Sequence, residues 1–155
     1  MNILTDKKNS VPYQETIDEI ANCYGKETWI QEINELFPTG RLGCINFGYW
    51  EYVPDAISLE IREKSQLDLY LKLFVFAGIN QTSEAITLEI GCGRGHGVYL
   101  LSKNGHNSYG IDLVASQIQK CAKNYPNLAS KFKQGLANNS GFLPNTFDFV
   151  ISVEA

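Results

Sequence analysis

Apolar positions follow two different rhythms along this chain, and the change comes near residue 83. In the first part the spacing is helical. Residues 12–24 set Ile17, Ile20, Ala21 and Tyr24 on successive turns, with Gly25 placed to end the helix. Residues 28–37 repeat the pattern with Trp29, Ile33, Leu36 and Phe37, and Pro38 stops it. A glycine-containing aromatic loop over 41–52 leads into a long helix predicted for 55–79, where Leu59, Arg62, Gln66, Leu69, Leu73 and Phe76 fall on related turns. The later part of that helix, LDLYLKLFVFAGI, is apolar nearly all round, which predicts burial.

Beyond residue 83 strands and helices alternate. Short apolar runs over 85–90 and 106–111 predict strands, each followed by a helical stretch, 98–103 and 114–124. Pro126 breaks the second helix. A weak strand follows at 129–134, and the strongest strand signal is 147–153, rich in β-branched and aromatic residues. This alternation predicts an α/β fold: a Rossmann-like parallel sheet with right-handed crossovers, about four strands in the order 3-2-1-4, preceded by a helical segment. The expected organisation is an N-terminal helical segment with its aromatic loop over 1–83 and an α/β half-domain over 84–155.

Composition narrows the function. Hydrophobic residues make up 44% of the 155 and charged residues 19%, enough apolar material for a real core. A net charge of -4 argues against nucleic acid or an anionic membrane as partner, because both require a positive field. No run of apolar residues is long enough to span a bilayer, and MNILTDKKNS lacks the apolar core of a signal peptide, so a cytoplasmic location is expected. Cys23, Cys44, Cys92 and Cys121 are widely spaced and read as reduced thiols; with only His96 and His106 beside them, no metal site is expected.

The chemistry-bearing segment is Glu89-Ile90-Gly91-Cys92-Gly93-Arg94-Gly95, which leaves a strand and enters a helix. Glycines at 91, 93 and 95 allow a tight turn and let a ligand lie against bare main chain, while the helix start presents free N–H groups. At the end of the next strand stands Asp112, an acid placed to accept hydrogen bonds from both hydroxyls of a ribose. The combination points to a nucleoside cofactor. A dinucleotide fingerprint would read G-x-G-x-x-G; here the spacing is G-x-G-x-G, which disfavours a nicotinamide oxidoreductase.

That spacing, with Glu89 ahead of it, resembles motif I of class I S-adenosylmethionine-dependent methyltransferases, and Asp112 matches their ribose acid. The segment 144–155, PNTFDFVISVEA, resembles their fourth strand. Residues 45–50, INFGYW, resemble the N-x-G-Y-W loop of the small-molecule, type 11 branch. The resemblance implies S-adenosyl-L-methionine as cofactor and a small-molecule acceptor. It implies that Gly91, Cys92 and Gly93, with Gly95 closing the turn, line the methionine part and that Glu89 reaches the methionine amine directly or through water. It further implies that Asp112 holds the ribose, Leu113 covers the adenine, Gln117 faces the same region, the Ala137 amide touches adenine and Tyr49 closes over the sulfonium. No catalytic residue is assigned.

Two departures from the family pattern matter. Where the family places an acid for the adenine amine, this chain has Leu136. The family fold has seven strands, and this sequence ends at about the fourth. Three readings are expected to compete: the sequence is a fragment of a longer chain, a second chain completes the sheet, or the apolar edge is covered in a homo-oligomer such as a dimer. Two functions are therefore expected to compete: methyl transfer to a small acceptor, or an inactive methyltransferase-like remnant that self-associates. Among smaller signals, His96 is expected at the helix start or in solvent, Cys92 is expected to be inert, and Glu154 approaches the crevice from the side opposite Gly91.

Overall fold

The computed structural model describes residues 46–154 together with the isolated helical positions Asp18, Glu19 and Asn22. The rest of the predicted 12–24 helix, the 28–37 helix, the first residues of the aromatic loop, Cys23 and Cys44 lie outside the described residues.

The helix predicted for 55–79 is α1, Leu59–Phe76. It starts late because Ser58 caps it: the Ser58 hydroxyl accepts the Ile61 N–H at 3.2 Å. It ends early because Gly78, at φ 72°, turns the chain away into a short 3-10 turn, Ile79–Gln81. The chain then runs through β1 (Ile86–Ile90), α2 (His96–Lys103), β2 (Asn107–Asp112), α3 (Ala115–Asn124), a 3-10 turn (Pro126–Lys131), β3 (Phe132–Gln134) and β4 (Phe149–Ser152). Among the described residues the four strands pair in parallel, in the order β3-β2-β1-β4, as the alternation predicted. Glu89 of β1 lies between Gly110 of β2 and Ile151 of β4. The winding reverses at β1, so the crevice of such a sheet opens past the carboxyl ends of β1 and β4.

Tyr70 and Phe74 of α1 pack with Ile79, Leu101 of α2 and Ile151 of β4. Burying each of these aliphatic side chains contributes about 1.5–3 kcal/mol. The helix before the sheet thus shares the sheet's own core. A second cluster, Cys92, Val98, Cys121 and Phe132, fills the space under the glycine turn.

The expectation that α1 is buried all round is corrected. Leu71, Val75 and Phe76 are exposed, Phe76 by 90%, whereas the polar Arg62, Ser65 and Gln66 are buried. Only one stripe meets the core, and its upper half holds polar side chains because it grips a loop by its backbone. On its outer side β4 has no strand partner among the described residues, and Val150 is exposed.

Candidate cofactor-binding site

The turn after β1 has Gly91, Gly93 and Gly95 at φ 67°, 50° and 84°, a conformation that side chains rarely adopt. It is held at several points. Cys92 N–H donates to the Ile111 carbonyl (3.0 Å), Gly95 N–H to the Cys92 carbonyl (2.8 Å), and the Cys121 thiol to the Gly93 carbonyl (3.1 Å). Asp112, mostly buried at the end of β2, faces this turn: Oδ2 accepts Gly93 N–H and Oδ1 accepts Val114 N–H, both at 2.8 Å. One carboxylate therefore joins the glycine turn to the segment that starts α3. Burial pushes its pKa up, opposed by the two N–H donors.

Glu89 lies behind the turn, 1% exposed. Its Oε1 accepts the Tyr70 hydroxyl and its Oε2 accepts Val98 N–H, both at 3.0 Å. Gly97 leaves the room for this carboxyl, since a Cβ there would lie 2.5 Å from both oxygens. Desolvation raises the Glu89 pKa to about 8, against the two hydrogen bonds that lower it. A stability consequence follows. The unfolded side chain ionises near 4.5 and the folded one near 8, so between these values the folded state holds the extra proton and raising the pH favours unfolding. Thermal melts between pH 5 and 8 should show stability falling with pH, and Glu89→Gln should flatten the decline. An equally steep decline in the variant would assign it to another group.

The other predicted residues are placed as follows. Leu113 is half-buried beside Asp112, and Gln117 is buried in the first turn of α3. The Gln134 side chain donates to the Leu113 carbonyl, and Gly135 N–H donates to the Asp112 carbonyl at 3.0 Å. The loop bearing Leu136 and the exposed Ala137 thus leaves the sheet next to Asp112. Tyr49 is placed elsewhere. Its N–H donates to the Ser65 carbonyl, its ring lies 4.9 Å from Lys72 Nζ, and it lines a groove of about 520 Å³ against the flank of α1. No residue of the glycine turn lines that groove.

The aromatic loop is instead joined to the sheet through its backbone. Phe47 N–H donates to Glu154 Oε2 at 2.7 Å, just past β4. The Asn46 carbonyl accepts Arg62 Nη2 (2.9 Å) and Gln66 Nε2 (2.8 Å), and Arg62 Nη1 also donates to the Phe47 carbonyl. His96 is not in solvent as one expectation had it: it is 4% exposed, with Nδ1 2.8 Å from the Tyr125 hydroxyl, and burial pulls its pKa down. The Cys92 thiol is pushed up, first by its hydrogen bond with Cys121 and then by burial, which favours its protonated form.

Sequence reasoning missed Tyr70, Arg62 and Cys121. Each lies on a helix far along the chain from its partner, and spacing alone carries no sign of which distant main chain a side chain reaches.

A parallel sheet that reverses its winding beside a glycine turn gripped by one aspartate is the arrangement of class I methyltransferases. Residues 88–155 match the methyltransferase domain of type 11, and along most of its length the chain is similar to methyltransferases of the class I fold. It is 31% identical over 132 residues to a phthiotriol/phenolphthiotriol dimycocerosates methyltransferase of Mycobacterium leprae, covering 82% of this chain and 48% of that one. The chain spans about half the length of the curated relatives it matches. Among solved structures, the cyclase SpnF superposes with a TM-score of 0.62 at 18% identity, covering 86% of this chain and 47% of that one. A geranyl diphosphate C-methyltransferase from Streptomyces coelicolor A3(2), solved with S-adenosyl-L-homocysteine, superposes at 0.53 with 16% identity, covering 88% and 52%. At such identities these structures establish the fold, and a cyclase among them means that the reaction must be argued from the site.

Proposed function

We propose that this chain binds S-adenosyl-L-methionine in the crevice between the glycine turn and Asp112, and that the protein transfers its methyl group to a small, lipid-like acceptor. The observation that carries the reading is the Gly93 N–H to Asp112 Oδ2 bond, which puts the diol-binding acid against bare main chain. The donor set suits the group. Asp112 supplies acceptor lone pairs for two ribose hydroxyls, the start of α2 supplies N–H groups for a carboxylate, and Glu89 supplies a buried carboxyl behind the turn.

In this reading Gly91, Cys92 and Gly93 line the methionine part and Gly95 closes the turn. Leu113 covers one adenine face, the Ala137 amide meets its edge, and Gln117 supports the wall from beneath. Glu89 acts from behind the main chain. Tyr49 would have to leave its place beside Lys72 to cover the sulfonium. When bound, the cofactor supplies an electrophilic methyl group. The chain's residues supply alignment, which suffices for in-line displacement by a well-placed nucleophile. The lipid-like acceptor rests on the mycobacterial relative, whose name gives dimycocerosates as its substrate.

Calorimetry with S-adenosyl-L-homocysteine tests the reading. Micromolar binding is expected. No binding, with a stable dimer by light scattering, would favour the self-associating remnant, and NADH binding in its place would overturn both.

A further inference from the structure

We propose, resting on the cofactor reading above, that Tyr70 is a positioning residue for the cofactor: from α1 its hydroxyl fixes the Glu89 carboxyl behind the glycine turn, and through it the first turn of α2. Three features of the fold support this.

The first is that α2 lacks a cap of its own. Gly95 stands at its N-cap position with no side chain to offer, and the third amide of the helix, Val98 N–H, is the one an N-cap side chain usually satisfies. Glu89 satisfies it from the neighbouring strand, at 3.0 Å. The start of α2, against which the cofactor's carboxylate would lie, is therefore set by where Glu89 points.

The second is that Glu89 is itself aimed by Tyr70. The carboxyl is 1% exposed and the Tyr70 ring 7%. The hydroxyl, 3.0 Å from Oε1, can donate to the carboxylate or accept from the protonated acid, so it serves both states. The groups facing this carboxyl are the Tyr70 hydroxyl from α1, Val98 N–H from α2, the Asp112 carboxylate from β2 and the Cys92 thiol from the turn. His96 packs on Tyr70, ring centres 6.2 Å apart, and Ile151 is the neighbour in β4.

The third is where Tyr70 stands. Arg62, Gln66, Tyr70 and Phe74 recur every four residues and form one buried stripe of α1. The first two hold the aromatic loop by the Asn46 carbonyl, and the third holds Glu89. One rigid helix thus ties the aromatic loop to the cofactor turn.

The test measures S-adenosyl-L-homocysteine affinity of the whole protein from pH 6 to 9 for wild type, Tyr70→Phe, Glu89→Gln and the double variant. Tyr70→Phe keeps the ring and its packing on Phe74 and His96. It is expected to weaken binding about three- to tenfold at pH 7, the size of losing one ordinary hydrogen bond. It should also move the Glu89-linked step in the affinity profile to higher pH, because a donor to the charged form is gone. Glu89→Gln should abolish that step, and Tyr70→Phe should add nothing in its background. The free ligand's own amine titrates identically in all four experiments and cancels in the comparison. A merely structural tyrosine would lower the melting temperature and leave the profile in place, so an unshifted profile with near-wild-type affinity in Tyr70→Phe overturns the proposal, as does a step that survives Glu89→Gln. Absence of binding by the wild-type protein would instead overturn the cofactor reading itself.

Discussion

Replacing Asp112 with alanine is expected to weaken S-adenosyl-L-homocysteine binding by a hundredfold or more. Two losses combine. Asp112 holds the glycine turn by accepting Gly93 N–H and holds the following segment by accepting Val114 N–H, each at 2.8 Å. Alanine leaves both amides without that acceptor and lets the turn relax. It also removes the charged acceptor for the ribose hydroxyls in the proposed complex. Hydrogen bonds to a charged group are worth about 1.5–3 kcal/mol each, so losing two amounts to about two or more orders of magnitude in affinity. Asp112→Asn is informative because it is isosteric. Its amide nitrogen must face one of the two backbone N–H donors, and its single oxygen cannot serve every partner. Its affinity should fall between wild type and alanine. Calorimetry on the three proteins checks the order, and an alanine variant within threefold of wild type would remove Asp112 from the site.

The α/β architecture was legible because its punctuation is chemical. Glycines after β1 and Pro126 after α3 mark boundaries that the backbone cannot ignore, and the alternation between them leaves few topologies. Strand ends were less legible. The 129–134 strand shrinks to Phe132–Gln134 because its first half is drawn into the 3-10 turn that begins at Pro126. The 147–153 strand shrinks to Phe149–Ser152. At one end the Asp148 carboxylate takes the Ile86 N–H; at the other Glu154, at φ 54°, turns the chain so that its carboxylate reaches Phe47. The glycine turn and the place of Asp112 were readable because they depend on backbone conformation and on one acid at a strand end. Glu89 was readable as an acid near the turn, but not its burial, since that depends on Gly97 and Tyr70 leaving and filling space from two other helices. Arg62 and Gln66 misled for the same reason: their burial is set by a loop's carbonyls, which no periodicity encodes.

Gly97→Ala is expected to destabilise the fold even though alanine is the better helix former. On an exposed helix the change would favour folding by about 0.8–1 kcal/mol. Here the added Cβ would lie 2.5 Å from both Glu89 oxygens and 2.5 Å from Tyr70 Cε1, closer than real Cβ contacts come. Neither neighbour can move cheaply. The carboxyl is held by Tyr70 and Val98, and the tyrosine ring is wedged between Phe74 and His96. Overpacking of this kind costs about 1–3 kcal/mol or more, and α2 would have to shift away from β1 to relieve it. With the propensity gain subtracted, a net loss of up to about 2 kcal/mol should lower the melting temperature by up to several degrees for a chain of this size. The clash also predicts its own remedy. Glu89→Ala destabilises by itself, because Val98 N–H and the Tyr70 hydroxyl lose their acceptor, but it vacates the space that the new methyl group needs. The two changes together should therefore cost clearly less than their sum, a non-additivity expected only for groups in contact. Thermal melts of the two single variants and the double variant measure it. Strict additivity would mean that the carboxyl does not lie against Gly97, and the account of how Glu89 sets the start of α2 would fall with it.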